Sequence, residues 1–230
     1  MIVYTDPQGT EAWREARRGV ITASRFKDCR DRLKNGALSA AATLYAMDVA
    51  RERVGGKAAD VFVNAAMRFG TEQEPIARVA YEVKAGNMVD TAGFITTDDR
   101  LFGVSVDGLI DEDGIWECKT IVSSDTLFKS VVDRDISAYR DQCVGAMWLL
   151  GRRWVDLTLW APDLPGDAAL TIVRIERDDD EMQRLEDDLV SFETLVRGYE
   201  ARLRQRLLRD AQSQPAARAS VVPMDLTPTF

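Results

Sequence analysis

Leu101–Val122, LFGVSVDGLIDEDGIWECKTIV, is the stretch from which the rest of this 230-residue chain is read. It has the form of two short strands around a tight acidic turn. Asp107, Glu117 and Lys119 stand where a buried strand should be apolar. Side chains alternate along a strand, so Glu117, Lys119 and Ile121 share one face while Trp116, Cys118 and Thr120 take the other. Two carboxylates brought to one point repel each other unless a cation lies between them. Mg²⁺ is commonly held by one or two carboxylates together with substrate phosphates. An Asp, about ten further residues and then Glu-x-Lys is the arrangement expected for metal-assisted phosphodiester hydrolysis, with the lysine beside the attacking water. Taken alone, the same residues also fit a solvated hairpin.

The turn supplies an internal test. A two-residue Asp113-Gly114 turn would set Asp107 opposite Thr120, on the face away from Glu117. A three-residue loop, Glu112-Asp113-Gly114 with Gly114 left-handed in a bulge, sets Asp107 opposite Lys119 and on the Glu117 face. One residue of slip flips every side chain, so a shared site requires an odd-length loop.

Composition narrows the chemistry. The chain has no histidine, which removes imidazole-based zinc sites, Ser-His-Asp hydrolysis and a histidine general base. What remains is carboxylate and lysine chemistry, suited to Mg²⁺ or Mn²⁺. Cys29, Cys118 and Cys143 are too few and too scattered for a disulfide framework or a four-thiolate site, which points to a reducing cytoplasm. No segment has the length and apolarity of a membrane span, and the N-terminus does not read as a signal peptide. The net charge of −8 argues against non-specific DNA coating, but residues 1–35 carry eight Lys/Arg against five Asp/Glu. Local distribution matters more than the sum. Length and apolar content predict one domain, residues 1–210, followed by a Pro/Ser/Ala-rich tail over 211–230.

Along the chain, Thr10 caps a first helix that Gly19 ends, and Thr22 caps a second that runs toward Gly36. Arg17, Ser24 and Arg25 cluster where the two meet, at a helix N-terminus suited to an anion. Surface arginines on a solvated hairpin fit the same pattern. Ser39 starts a third helix with Leu44, Met47 and Val54 as core candidates. A fourth begins near Asn64. Pro75 inside it should kink the helix near Glu74 and turn a third carboxylate inward, although Glu72 and Glu74 also read as surface residues. Asn87–Thr96 reads as a strand, and 123–134 as a loop with a short helix. Ser137 caps a helix with Tyr139, Cys143, Ala146, Met147 and Leu150 as its apolar stripe, and Gln142 beside that stripe needs a partner. Two strands, 153–160 and 170–175, lead to a long amphipathic helix from Asp179 to about Arg209.

EAWREARRGVITAS, RFGTEQEPIARVAYE, VSVDG, WECK and SAYRDQCVGAMWLLG occur in that order over residues 10–200. Together they resemble the phage lambda exonuclease and YqaJ-type viral recombinase family, within the restriction-endonuclease-like D…ExK nucleases. The resemblance implies an α/β fold: a restriction-endonuclease-like core with a mixed central sheet flanked by helices. It implies Asp107, Glu117, the Cys118 carbonyl and Glu74 as metal ligands, and Lys119 as the residue that positions water. Gln142 and Tyr139 would orient the lysine and the nucleophile, and Arg17, Ser24 and Ser105 would receive a DNA 5′-phosphate. It further implies Mg²⁺ (or Mn²⁺), 5′→3′ digestion of duplex DNA ends, a homotrimer, a single-strand annealing protein as partner, and a phage or prophage setting in the bacterial cytoplasm. Val106 departs from the pattern, which often has proline there, and puts the backbone bend before Asp107 in question. The alternatives are an endonuclease, an iron–sulfur relative of RecB-type nucleases (which needs four cysteines), and a catalytically silent DNA-end-binding recombination protein.

Overall fold

The computed structural model describes residues 1–57 and 65–213. Its strands are β1 (Ile2–Tyr4), β2 (Ile21–Thr22), β3 (Phe94–Thr96), β4 (Phe102–Ser105), β5 (Gly108–Ile110), β6 (Gly114–Thr120), β7 (Trp154–Trp160) and β8 (Leu170–Glu176). Its α-helices are α1 (Glu11–Arg17), α2 (Phe26–Cys29), α3 (Ala40–Arg53), α4 (Ala65–Ala85), α5 (Ser124–Leu127), α6 (Ser137–Leu150) and α7 (Asp179–Ser213). The fold is mixed α/β, as expected, but with two four-stranded sheets, ordered β1-β3-β4-β2 and β5-β6-β7-β8. The segment expected as one strand through Asp107 is two strands in different sheets, with Val106 and Asp107 between them. No proline is needed for that break: Val106 is buried in the main core and fixes the crossing point.

In the second sheet β6 and β7 are parallel and joined through α6, while β5 and β8 are antiparallel edges. β6 shows the alternation read from sequence. Ile115 and Ile121 join the main core with α6 and α7, whereas Trp116 and Cys118 belong to a separate cluster with Ala77 and Tyr81 of α4. Helices α6 and α4 thus cover opposite faces of the sheet.

Three helix starts follow local capping chemistry, one of them not as expected. The Thr10 and Ser39 hydroxyls accept from Trp13 and Ala42 amides. At α6 it is Asp135, not Ser137, whose side chain takes the first free N–H, that of Ser137 itself. Thr22 makes no side-chain cap and is instead strand β2, and α2 stops at Cys29, well short of Gly36. The expected start of the fourth helix at Asn64 lies outside the described residues, and α4 runs unbroken through Pro75. In α3, Leu44 and Met47 are exposed, with Ala42, Tyr45, Ala46, Val49 and Ala50 facing inward. Of the expected strand 87–96 only β3 forms, with Asp90 in an isolated bridge to Leu109. Helix α7 continues to Ser213, past the expected start of the tail, and residues 214–230 lie outside the described residues.

Candidate active site

The hairpin pairs Gly108 with Trp116 and Ile110 with Gly114, so its loop is Asp111-Glu112-Asp113. The loop has odd length, as a shared site demands, but sits one residue earlier than expected. Asp111, at φ 45°, is the left-handed residue, not Gly114. Gly114 lies in β6, where a Cβ would stand 2.2 Å from the Trp154 ring. This register continues to put Asp107 in line with Glu117 rather than Lys119, and still on the Glu117 face.

Glu117 is 2% exposed. Its Oε1 accepts from Lys119 Nζ at 2.7 Å and from Gln142 Nε2 of α6 at 2.5 Å. Asp107 Oδ2 accepts the Cys118 backbone N–H at 2.8 Å. Each carboxylate therefore has one oxygen pinned and the other without a hydrogen-bond partner among the described residues. Burial, then the charge of Asp107, pushes Glu117 above the ordinary glutamate range. Burial also raises Asp107, against the pull of Lys119 and the Cys118 amide. Glu74, half-buried on α4, is pushed up to about 7, first by burial and next by Asp107. Burial opposes the charge on Lys119, but Glu117 and then Asp107 outweigh it and raise its pKa.

The predicted residues are thus brought together from three elements. The hairpin supplies Asp107, Glu117 and Lys119, α4 supplies Glu74 and α6 supplies Gln142. Gln142 holds Glu117 rather than the lysine. Tyr139 faces Lys119 with its ring, whose centroid is 6.0 Å from Nζ. Among the described residues no three acidic, cysteine or histidine side chains close around one point, so the cluster is open. An open, oxygen-only donor set in which Asp107 raises the pKa of both Glu117 and Glu74 fits Mg²⁺ or Mn²⁺, which retain water and substrate oxygens.

Of the predicted phosphate residues, Arg17 and Ser105 are in direct contact. Arg17 Nη1 donates to Ser105 Oγ at 3.0 Å, two residues before Asp107. The guanidinium is held 4.4 Å from the Trp13 ring centroid and 5.1 Å from that of Phe94. Burial lowers its pKa, offset in part by Tyr45. The Tyr45 hydroxyl accepts the Thr22 N–H, and the Thr22 and Ser24 hydroxyls are 3.3 Å apart. Ser24 is exposed and is linked to Arg17 through Thr22 and Tyr45. Sequence reasoning assigned no role to Arg78, whose spacing of four from Glu74 on one helix was the available signal.

A family model described as the YqaJ-like viral recombinase domain matches residues 12–153. An alkaline exonuclease from Laribacter hongkongensis is similar in structure, with a TM-score of 0.77 and 30% identity over 87% of this chain and 99% of that one. The same exonuclease in complex with dAMP gives 0.78 and 29%, over 87% and 99% of the two chains. A phage-related exonuclease from Haemophilus somnus 129PT shares the fold at a TM-score of 0.64 and 17% identity, over 82% of this chain and 96% of that one. No curated protein matches the chain.

Proposed function

Because the chain belongs to the YqaJ-like viral recombinase domain family, we propose that it is a Mg²⁺-dependent exonuclease that digests one strand of linear duplex DNA from a 5′ end. The family match and the alkaline exonuclease neighbours support the phage-type exonuclease class. The observation that carries the finer reading is one continuous run of backbone. Ser105, bonded to Arg17, lies two residues from Asp107, whose charge acts on both Glu117 and Glu74.

Asp107, Glu117, Glu74 and the Cys118 carbonyl would hold the metal, which when bound supplies a Lewis acid for water activation and for the charge developing on phosphate. Gln142 and Lys119 keep Glu117 in one rotamer by occupying Oε1. The Cys118 N–H does the same for Asp107. Lys119 has N–H groups left over to orient the attacking water and to offset charge on a nonbridging phosphate oxygen. Arg17 can grip a terminal phosphate through the guanidinium edge that Ser105 does not use. A homotrimer on duplex ends, a single-strand annealing protein as partner and a cytoplasmic setting complete this reading, on the strength of the resemblance. Among the described residues no helix is long and apolar enough to cross a membrane.

The test is cleavage of a 5′-phosphorylated linear duplex with and without Mg²⁺, beside the same DNA as a closed circle. Mononucleotide release from the linear form alone, and only with metal, is expected. Cutting of the circle would make the protein an endonuclease. Tight end binding without cleavage would make it a silent recombination protein.

A further inference from the structure

Helix α4 presents three faces of different character. Ile76, Val79 and Val83 are exposed on its outer side. Ala77 and Tyr81 pack against Trp116 beneath it. Glu74 and Arg78 lie one turn apart and so share a side, and Asp107 and Lys119 act electrostatically on Glu74. Arg78 therefore acts on Glu74, the outer member of the carboxylate cluster.

The state of that arginine is unusual. Its Nε is buried and has no hydrogen-bond partner among the described residues. The other buried polar atoms without partners include Arg53 Nη2 and Glu193 Oε2, but those side chains are bonded to each other through Arg53 Nη1 and Glu193 Oε1 at 2.9 Å. Arg78 has no such bond: among the described residues no hydrogen bond or ion pair engages any part of it, and its interaction is the electrostatic one with Glu74. A guanidinium offers five N–H donors in a planar fork and stays charged. To leave a buried donor unsatisfied costs more than a net hydrogen bond gains, so such a group calls for an acceptor that the described residues do not supply. At the edge of a site built for phosphodiester chemistry, that acceptor is an anionic oxygen of the substrate.

We propose that Arg78 binds a backbone phosphate of the DNA strand held at the carboxylate cluster, as a contact separate from the Arg17–Ser105 pair. The contact sits on α4, the helix that also carries Glu74, so strand position and the third carboxylate are set by one rigid element. This inference rests on the nuclease reading for the identity of its ligand.

The probe is a 5′-phosphorylated duplex oligonucleotide in Ca²⁺, which takes oxygen ligands as Mg²⁺ does, with the DNA checked intact after each measurement. Arg78→Gln should weaken binding and lower the slope of log affinity against log salt by about 0.9 for one lost duplex phosphate contact. A scan of single neutral methylphosphonates near the 5′ end should find one position that weakens wild type yet has no effect on Arg78→Gln. Arg78→Lys should restore the salt slope, which separates loss of charge from loss of fold, and should still respond to the scan at that position. An unchanged affinity and slope in Arg78→Gln overturns the proposal, as does a full methylphosphonate response in that variant at every position. A shift only in the Ca²⁺ requirement, without coupling to any phosphate, would make Arg78 a counter-ion of Glu74 and likewise overturn it. Wild type that shows the coupling but never cuts DNA in Mg²⁺ would remove the nuclease reading and leave the phosphate contact standing.

Discussion

Glu117 is a buried carboxylate whose Oε1 already serves two donors, so its substitution separates charge from shape. Glu117→Gln keeps the volume but loses the charge and confronts Lys119 and Gln142 with an amide. Cleavage should fall by at least on the order of 10²–10³, and Lys119→Ala by a similar factor, by analogy with other electrostatic stabilisers. Single-turnover rates at saturating protein measure this, and near-normal turnover in Glu117→Gln would discard the assigned site. The raised carboxylates also fix a sign. Glu74 goes from its ordinary 4.5 up to about 7. Between those values the metal-free fold keeps a proton that the unfolded chain has released, so this group's contribution to stability falls as pH rises through the window. Mg²⁺ binds the deprotonated cluster. Its stabilisation should therefore be small at about pH 5 and full at about pH 8, following the mass-action rule for ligands of the native state. Thermal melts with and without Mg²⁺ at both values decide it, and an equal metal-induced shift at the two would contradict these ligands.

The hairpin shows how far sequence reaches at the level of an element. Its parity was legible, because Asp107 and Glu117 must share a face and only odd loops allow that. Its register was not, because Trp154 of the neighbouring strand decides it by packing on Gly114. Two substitutions test that register. Gly114→Ala drives a Cβ into a ring held on its other side by Arg174, 3.6 Å from its centroid. Overpacking of this kind costs about 1–3 kcal/mol, seen as a Tm several degrees lower. Asp111→Gly relieves a left-handed residue at a cost in unfolded-state entropy that is smaller or equal, roughly 1 kcal/mol each way. Its Tm should stay the same or rise, whereas a clear fall would favour the bulge at Gly114. Helix α3 was misjudged for a related reason. Apolar size pointed to Leu44 and Met47, but the buried face is Ala42, Tyr45, Ala46, Val49 and Ala50, with Tyr45 stacked on Phe192 of α7. Helices α1 and α6, strands β7 and β8 and most of α7 were legible because their periodicity and turns are local. The brief β2 pairing with β4 was not, since two residues carry no period.

At the scale of the whole molecule the division into two sheets was invisible in the sequence, yet it organises the proposed activity. The first sheet carries Ser105 and, through Phe94, the ring under Arg17, while the second carries Glu117 and Lys119, with Asp107 in the link between the two. Val106 is the buried joint between them. A DNA end gripped on one sheet would thus present its next phosphodiester to the other. The Pro/Ser/Ala-rich composition of the C-terminal stretch reads as a tail, so deletion of residues 214–230 should leave cleavage of naked DNA unchanged, and lost activity would contradict that. Polarity, by contrast, should depend on Arg17. A terminal phosphate carries more negative charge than an internal one, and a guanidinium meets it with two parallel hydrogen bonds. The two aromatic rings and Ser105 hold that guanidinium in place before DNA arrives. Arg17→Ala should therefore remove most of the rate advantage of a 5′-phosphorylated end over a 5′-hydroxyl end. Arg17→Lys should restore it only in part, because a point charge lacks the fork and stacks less well on aromatic faces. Rates on both substrates for wild type and the two variants measure the effect. If Arg17→Ala still favours the phosphorylated end as strongly as wild type, the pocket lies elsewhere, with exposed Arg25, whose guanidinium is 4.1 Å from the Tyr45 ring centroid, the next cation to remove.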